Sequence, residues 1–86
     1  MNENLTAGDV QIPPLTFGQK ACGVTFNPSR SVDVDDVKEK CANLVDYLNN
    51  LRSESIQGEK KRMLSLAITD MQTAQMWAVK AITWTD

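Results

Sequence analysis

Residues 31–51 read SVDVDDVKEKCANLVDYLNNL. Within this stretch Val34, Val37, Cys41, Leu44, Leu48 and Leu51 recur at alternating spacings of three and four residues, the a/d stripe of a packed helix. Ser31 or Asp33 can cap the first free amides, and Asp35 and Asp36 fall in the first turn, where the helix dipole favours negative charge. The acidic cluster is thereby explained without a metal. The stripe predicts a long helix over about residues 33–53. Its period breaks between Ser53 and Gly58, where polar residues and a glycine suit a connection between two helices.

From Glu59 to Trp84 there is neither Gly nor Pro, and Ala, Met, Leu and Gln, all good helix formers, are frequent. This predicts a second long helix over about residues 58–84, about 38 Å in length. Leu64, Ala67, Met71, Ala74, Ala78 and Ala81 form one stripe, which is expected to pack on the first helix. Leu66, Ile68, Met76, Trp77, Ile82 and Trp84 lie outside it. A helix that is apolar on more than one side needs more than one neighbour, and a hairpin supplies only one. Self-association is therefore expected.

Upstream, MNENLTAGDVQI has no sustained period, and Pro13 and Pro14 block helix, so residues 1–14 read as an N-terminal arm. Residues 15–31 follow, with room for one or two helical turns before Asn27, Pro28 and Ser29 force a turn. Residues 11–31 contain no carboxylate and carry a charge of +2, whereas residues 32–59 carry −4. A small anionic ligand can find a local positive site on a chain whose net charge is −2.

A chain of 86 residues makes one domain, whose core alone is marginal. Two cysteines, Cys22 and Cys41, are too few for a disulfide scaffold, and no signal-peptide pattern precedes them, so both are expected to be reduced in a cytosolic protein. Histidine is absent, which removes the commonest general base and leaves no close-spaced zinc ligands. No Walker or Rossmann glycine pattern occurs, and no apolar run is long enough to span a membrane. The expectation is a binding protein, not an enzyme, without a cofactor, a metal, a DNA or RNA polymer or a membrane as partner.

Residues 15–31 hold what a purine nucleotide needs: Phe17 and Phe26 as stacking faces, Lys20 and Arg30 as cations, and Thr25, Asn27 and Ser29 as hydrogen-bonding side chains. Plainer readings stand beside this one. Phe26 can act as a staple covering the Val34 and Val37 end of the core. Lys38 can be a solvated lysine paired with Asp35 or Glu39. Trp77, Lys80 and Trp84 share a helical face and can be interface residues with a snorkelling lysine. Arg62, with Lys60 and Lys61, opens the second helix where the dipole disfavours cations, and Glu54 or Glu59 is near enough to compensate.

FGQKACGVTFNPS at residues 17–29 and MQTAQMWAVKAITW at residues 71–84, with the a/d helix between them, resemble the small bacteriophage proteins that act as anti-CBASS cyclic-nucleotide sponges, in particular those of T-even-like phages. The resemblance covers nearly everything from Phe17 to Trp84. It implies a compact homo-oligomer, a hexamer of helical hairpins, that sequesters cyclic dinucleotides such as cyclic GMP-AMP without cleaving them, in the cytoplasm of the infected bacterial host. By position it gives the base-stacking role to Phe26 and a ligand-meeting role to Lys38, in a pocket shared by two protomers. It makes Arg62 the nearest candidate for a separate cyclic trinucleotide site. Phe26 stands where a tyrosine is frequent in that family, so a hydroxyl is missing here.

The expectation is thus an all-α antiparallel hairpin with an N-terminal arm and a short extra helix, assembled into a homo-oligomer. Its ligand site is expected at Phe26, Asn27, Ser29, Arg30, Lys38 and Lys20. Two rival readings are a host-protein-binding inhibitor acting through the Trp77 and Trp84 face, and a sponge for cyclic ADP-ribose signals like the related anti-Thoeris proteins.

Overall fold

The computed structural model describes residues 14–85, so the expected arm lies outside the described residues except for Pro14. Three helices follow in order: α1 (Phe17–Cys22), α2 (Val32–Glu54) and α3 (Gly58–Ile82). The described chain contains no strand. None of its helices is long and apolar enough to cross a membrane, and no described group of side chains could hold a metal ion. Helices α2 and α3 form the hairpin, and α1 lies mainly against α2.

The short α1 is held from both ends. Thr16 Oγ1 accepts from the Gln19 amide at 3.1 Å while Gln19 Oε1 accepts from the Thr16 amide at 2.8 Å, a capping box that satisfies two free donors. Gly23 closes the helix at φ 61°, a left-handed conformation in which a side chain is strained. Asp46 of α2 docks this element: its carboxylate accepts from Thr16 Oγ1 at 2.7 Å and from the Gly18 amide at 2.6 Å. The approach is close enough that a Cβ on Gly18 would lie 2.1 Å from the Ala42 carbonyl oxygen.

This third element rotates the buried face of α2. Ser31 caps the helix, accepting from the Val34 amide at 3.3 Å, but the buried side chains are Val34, Lys38, Ala42 and Val45. Cys41 and Leu48 of the expected stripe pack at the core margin, whereas Leu44 stays exposed. An a/d reading assumes one neighbour, but α2 has two, and small Ala42 turns inward to admit α1.

The stripe of α3 shifts as well. Ile68, assigned by spacing to the outer set, is buried, as is Gln75, while Ala74 and Ala81 are exposed. The core consists of Cys22, Ala42, Val45 and Ile68, flanked by Ala21, Val24, Cys41, Leu48 and Met71. Among the described residues the largest fully buried side chains are Val34 and Val45, so the hydrophobic stabilisation these residues supply is small. Leu66, Met76, Trp77 and Trp84 remain exposed.

Candidate functional site

Past α1 the chain turns through residues 23–30, and its backbone carbonyls are gathered by side chains from the two long helices. Gln72 Nε2 donates to the Ala21 carbonyl at 3.0 Å and Gln75 Nε2 to the Cys22 carbonyl at 2.8 Å. Lys38 Nζ donates to the Gly23 carbonyl at 3.0 Å and also to that of Phe26. With only 6% of its surface exposed, Lys38 is not a solvated lysine paired with Asp35 or Glu39. An ammonium in so dry a place needs acceptors, and the turn supplies carbonyls that helix pairing leaves free.

Phe26 shows 68% of its surface, so it does not cover the core as a staple would. Its ring centroid lies 5.4 Å from Lys38 Nζ, within cation–π range. The adjoining turn is tied internally. Asn27 Nδ2 donates to the Ser31 carbonyl at 2.8 Å and to Asp35 Oδ1 at 2.9 Å, and Ser29 Oγ donates to Asn27 Oδ1 at 2.7 Å. The Arg30 amide closes the turn on the Asn27 carbonyl at 3.1 Å, with Arg30 itself at φ 57°.

Phe26, Asn27, Pro28, Ser29, Val34 and Lys38 line a cavity of about 250 Å³ with Val79 and Thr83 of α3. Four of the expected site residues, Phe26, Asn27, Ser29 and Lys38, therefore meet in one place. Arg30 is exposed beside that cavity's turn without lining it, and Lys20 stands exposed in the last turn of α1. Phe17 is elsewhere, its ring centroid 5.3 Å from the Arg52 guanidinium. Arg62 belongs to the opposite end of the hairpin and pairs with Glu59 at 2.6 Å. That pair holds the Glu59 carboxyl below its usual range and raises the Arg62 guanidinium.

Sequence reading overlooked Val79, Thr83, Gln72 and Gln75. The available hint was a pair of glutamines three apart on α3, on the side that also carries Ile68, where a polar side chain needs a buried partner. Gln75 Oε1 is itself buried without a hydrogen-bond partner. Both cysteines are free, and burial pushes their thiols above the ordinary range; for Cys22 the neighbouring Cys41 and Asp46 add to the effect.

No curated protein and no solved structure matches the chain. A family model does: Acb2/Tad1, hairpin domain, over residues 20–83, which takes in the α1 end, the turn carrying Phe26 and both long helices. With that match over most of its length, the chain belongs to the Acb2/Tad1 hairpin family, the anti-CBASS and anti-Thoeris sponges.

Proposed function

We propose that this protein sequesters cyclic dinucleotides, such as 3′,3′-cyclic GMP-AMP, without cleaving them, and so keeps the CBASS effectors of an infected bacterium from being activated. Membership of the family implies a phage sponge for cyclic nucleotides. The observation that carries the narrower reading is the pairing of an exposed aromatic face, Phe26, with a buried ammonium, Lys38, in one cavity. A purine ring can stack on the first while the second keeps the field beside it positive, each stacked base contributing about 1 to 3 kcal/mol.

Asn27 and Ser29 shape the turn that presents Phe26, and the exposed Arg30 and Lys20 are the cations offered to phosphate. At about 250 Å³ the cavity is small for such a ligand, since sites for small molecules usually span roughly 300 to 1,000 Å³. A second copy completing it, within a homohexamer in the host cytoplasm, is part of the proposal. Arg62, exposed at the far end of the hairpin, is the candidate for a separate cyclic trinucleotide site.

Calorimetric titration with 3′,3′-cyclic GMP-AMP, followed by recovery of the nucleotide from denatured complex, tests this reading. Tight binding with intact nucleotide supports it. No binding, or recovery of a cleaved product, overturns it. A parallel titration with cyclic ADP-ribose signals separates the alternative ligand class. The exposed Trp77 and Trp84 keep a protein partner as the second reading, which predicts tryptophan substitutions that abolish capture of that partner and leave nucleotide binding intact.

A further inference from the structure

Helix α2 holds two consecutive residues of the turn, Phe26 and Asn27, by two side chains that stand one helical turn apart. Lys38 Nζ donates to the Phe26 carbonyl, and Asp35 Oδ1 accepts from Asn27 Nδ2 at 2.9 Å. Asp35 makes no ion pair among the described residues, with Lys38 or with any other cation. Its carboxylate is spent on a neutral amide.

Asn27 is the hub of the turn. Both hydrogens of its Nδ2 are used, the second on the Ser31 carbonyl at 2.8 Å, while its Oδ1 accepts from Ser29 Oγ at 2.7 Å. Ser29 Oγ in turn accepts from the Ser31 amide at 3.2 Å. The Ser31 carbonyl also accepts from the Asp35 amide at 3.2 Å, so the circuit closes on the first turn of α2. Within it Arg30 sits at φ 57°, in the left-handed region that residues with a Cβ avoid, and these ties offset that cost.

Charge alone does not account for Asp35. Asn27 lines the cavity, and the carboxylate lies one hydrogen bond behind it. A cyclic dinucleotide carries two anionic phosphates, and at physiological salt charges still act on each other over about 8 Å, so a carboxylate here opposes binding. The helix dipole favours an acid in this turn, but Asp33 already supplies one. The bond to Asn27 offers what neither charge effect does. Phe26 is 68% exposed, so packing does not fix its ring and the backbone has to.

We infer that Asp35 is a positioning residue of the ligand site, acting through Asn27 as a hydrogen-bond acceptor and not as a charge. It holds the turn so that Phe26 stands in place before the ligand arrives, which lowers the ordering cost of binding. The inference rests on the reading of this cavity as the nucleotide site and extends it to a residue outside the lining.

Asp35→Ala and Asp35→Asn separate the two roles, since both remove the charge and only alanine removes the acceptor. In calorimetric titration of the full chain with 3′,3′-cyclic GMP-AMP, Asp35→Ala should bind at least fivefold more weakly than wild type, and Asp35→Asn as tightly or more tightly. A purely repulsive carboxylate would make both variants bind more tightly, and a charge needed by the helix would weaken both together; either result overturns the assignment. Asn27→Ala removes the same bond, so combining it with Asp35→Ala should cause no further loss, and additive losses overturn the role through Asn27. A measurement on the wild type covers the case in which Asp35→Ala does not fold. Nuclear magnetic resonance should show both Asn27 side-chain amide hydrogens exchanging with solvent more slowly than those of exposed Asn50, and equally fast exchange overturns the bond. A wild type that does not bind the nucleotide overturns the ligand reading itself, whereas unchanged affinity in Asp35→Ala overturns this assignment and leaves that reading standing.

Discussion

Lys38 grips Phe26 twice: its ammonium donates to the Phe26 carbonyl and also stands 5.4 Å from the centre of the Phe26 ring. The carbonyl bond fixes the backbone from which the ring projects, and the second contact orients the ring. One buried lysine thus positions the exposed aromatic surface on which the proposed ligand stacks. Replacing Lys38 with Met keeps the length of the chain but removes the ammonium from both carbonyls, leaving that of Gly23 with the Phe26 amide alone, at 3.0 Å. Stability should fall by about 1.5 to 3 kcal/mol, read from denaturant unfolding, and affinity for cyclic GMP-AMP should drop more than in Phe26→Ala. Wild-type affinity in Lys38→Met would remove the lysine from the site.

Phe26→Ala isolates the stacking role. With 68% of the residue exposed, its loss should leave the unfolding midpoint and the oligomeric mass nearly unchanged. Binding of the cyclic dinucleotide should weaken at least tenfold, about 1.4 kcal/mol. A calorimetric titration with unchanged affinity would place the ligand elsewhere.

Gly18→Ala tests the docking of α1. The added Cβ would lie 2.1 Å from the Ala42 carbonyl oxygen, a backbone atom that cannot swing aside, and would also crowd the Asp46 carboxylate. Helix α1 has to move off α2, weakening the bonds that Asp46 accepts. A cost of about 1 to 3 kcal/mol is expected, visible as a lower midpoint in thermal unfolding.

Gln75 has one satisfied and one unsatisfied end, which sets an order among its variants. Gln75→Leu loses the donor to the Cys22 carbonyl but also removes the orphan oxygen, so the net cost should be about 1 kcal/mol. Gln75→Glu turns a carboxylate towards that carbonyl and should cost more. Denaturant midpoints in the reverse order would show that the Cys22 carbonyl does not need this partner.

The raised thiols of Cys22 and Cys41 give a pH dependence of definite sign. The native fold favours the neutral thiol, so this stabilisation is complete below the ordinary thiol value and is lost as pH climbs from there through the raised native values. Unfolding midpoints should therefore decline in the alkaline range, and less so in a Cys22→Ala, Cys41→Ala variant. Native protein should also react with iodoacetamide at neutral pH more slowly than unfolded chain, since the thiolate is the nucleophile.

Much of the hairpin was legible because its signals are local. Ser31 caps α2 within three residues of itself, Gly58 opens α3, and uninterrupted helix formers carry that helix to Ile82. The compensation of Arg62 by Glu59 was among the readings open from sequence, since the partners lie one helical turn apart. Phe26, Asn27 and Ser29 were also identifiable as one group because they are near neighbours in the chain. Lys20 and Arg30, grouped with them from the sequence, lie outside the lining of this cavity.

The joint role of Phe26 and Lys38 came from the family resemblance; by itself, the sequence determined that the chain is helical and where its helices begin and end to within a few residues. Those features rest on capping, spacing and propensity acting over a few residues. Only the tertiary structure decided which faces turn inward, that Lys38 is buried on the turn's carbonyls, and that Gln72 and Gln75 secure the end of α1. The donors and acceptors in the glutamine contacts stand 51 and 53 positions apart. No local period encodes the angle at which three helices meet, and that angle selects Ala42 over Leu44 and Ile68 over Ala74.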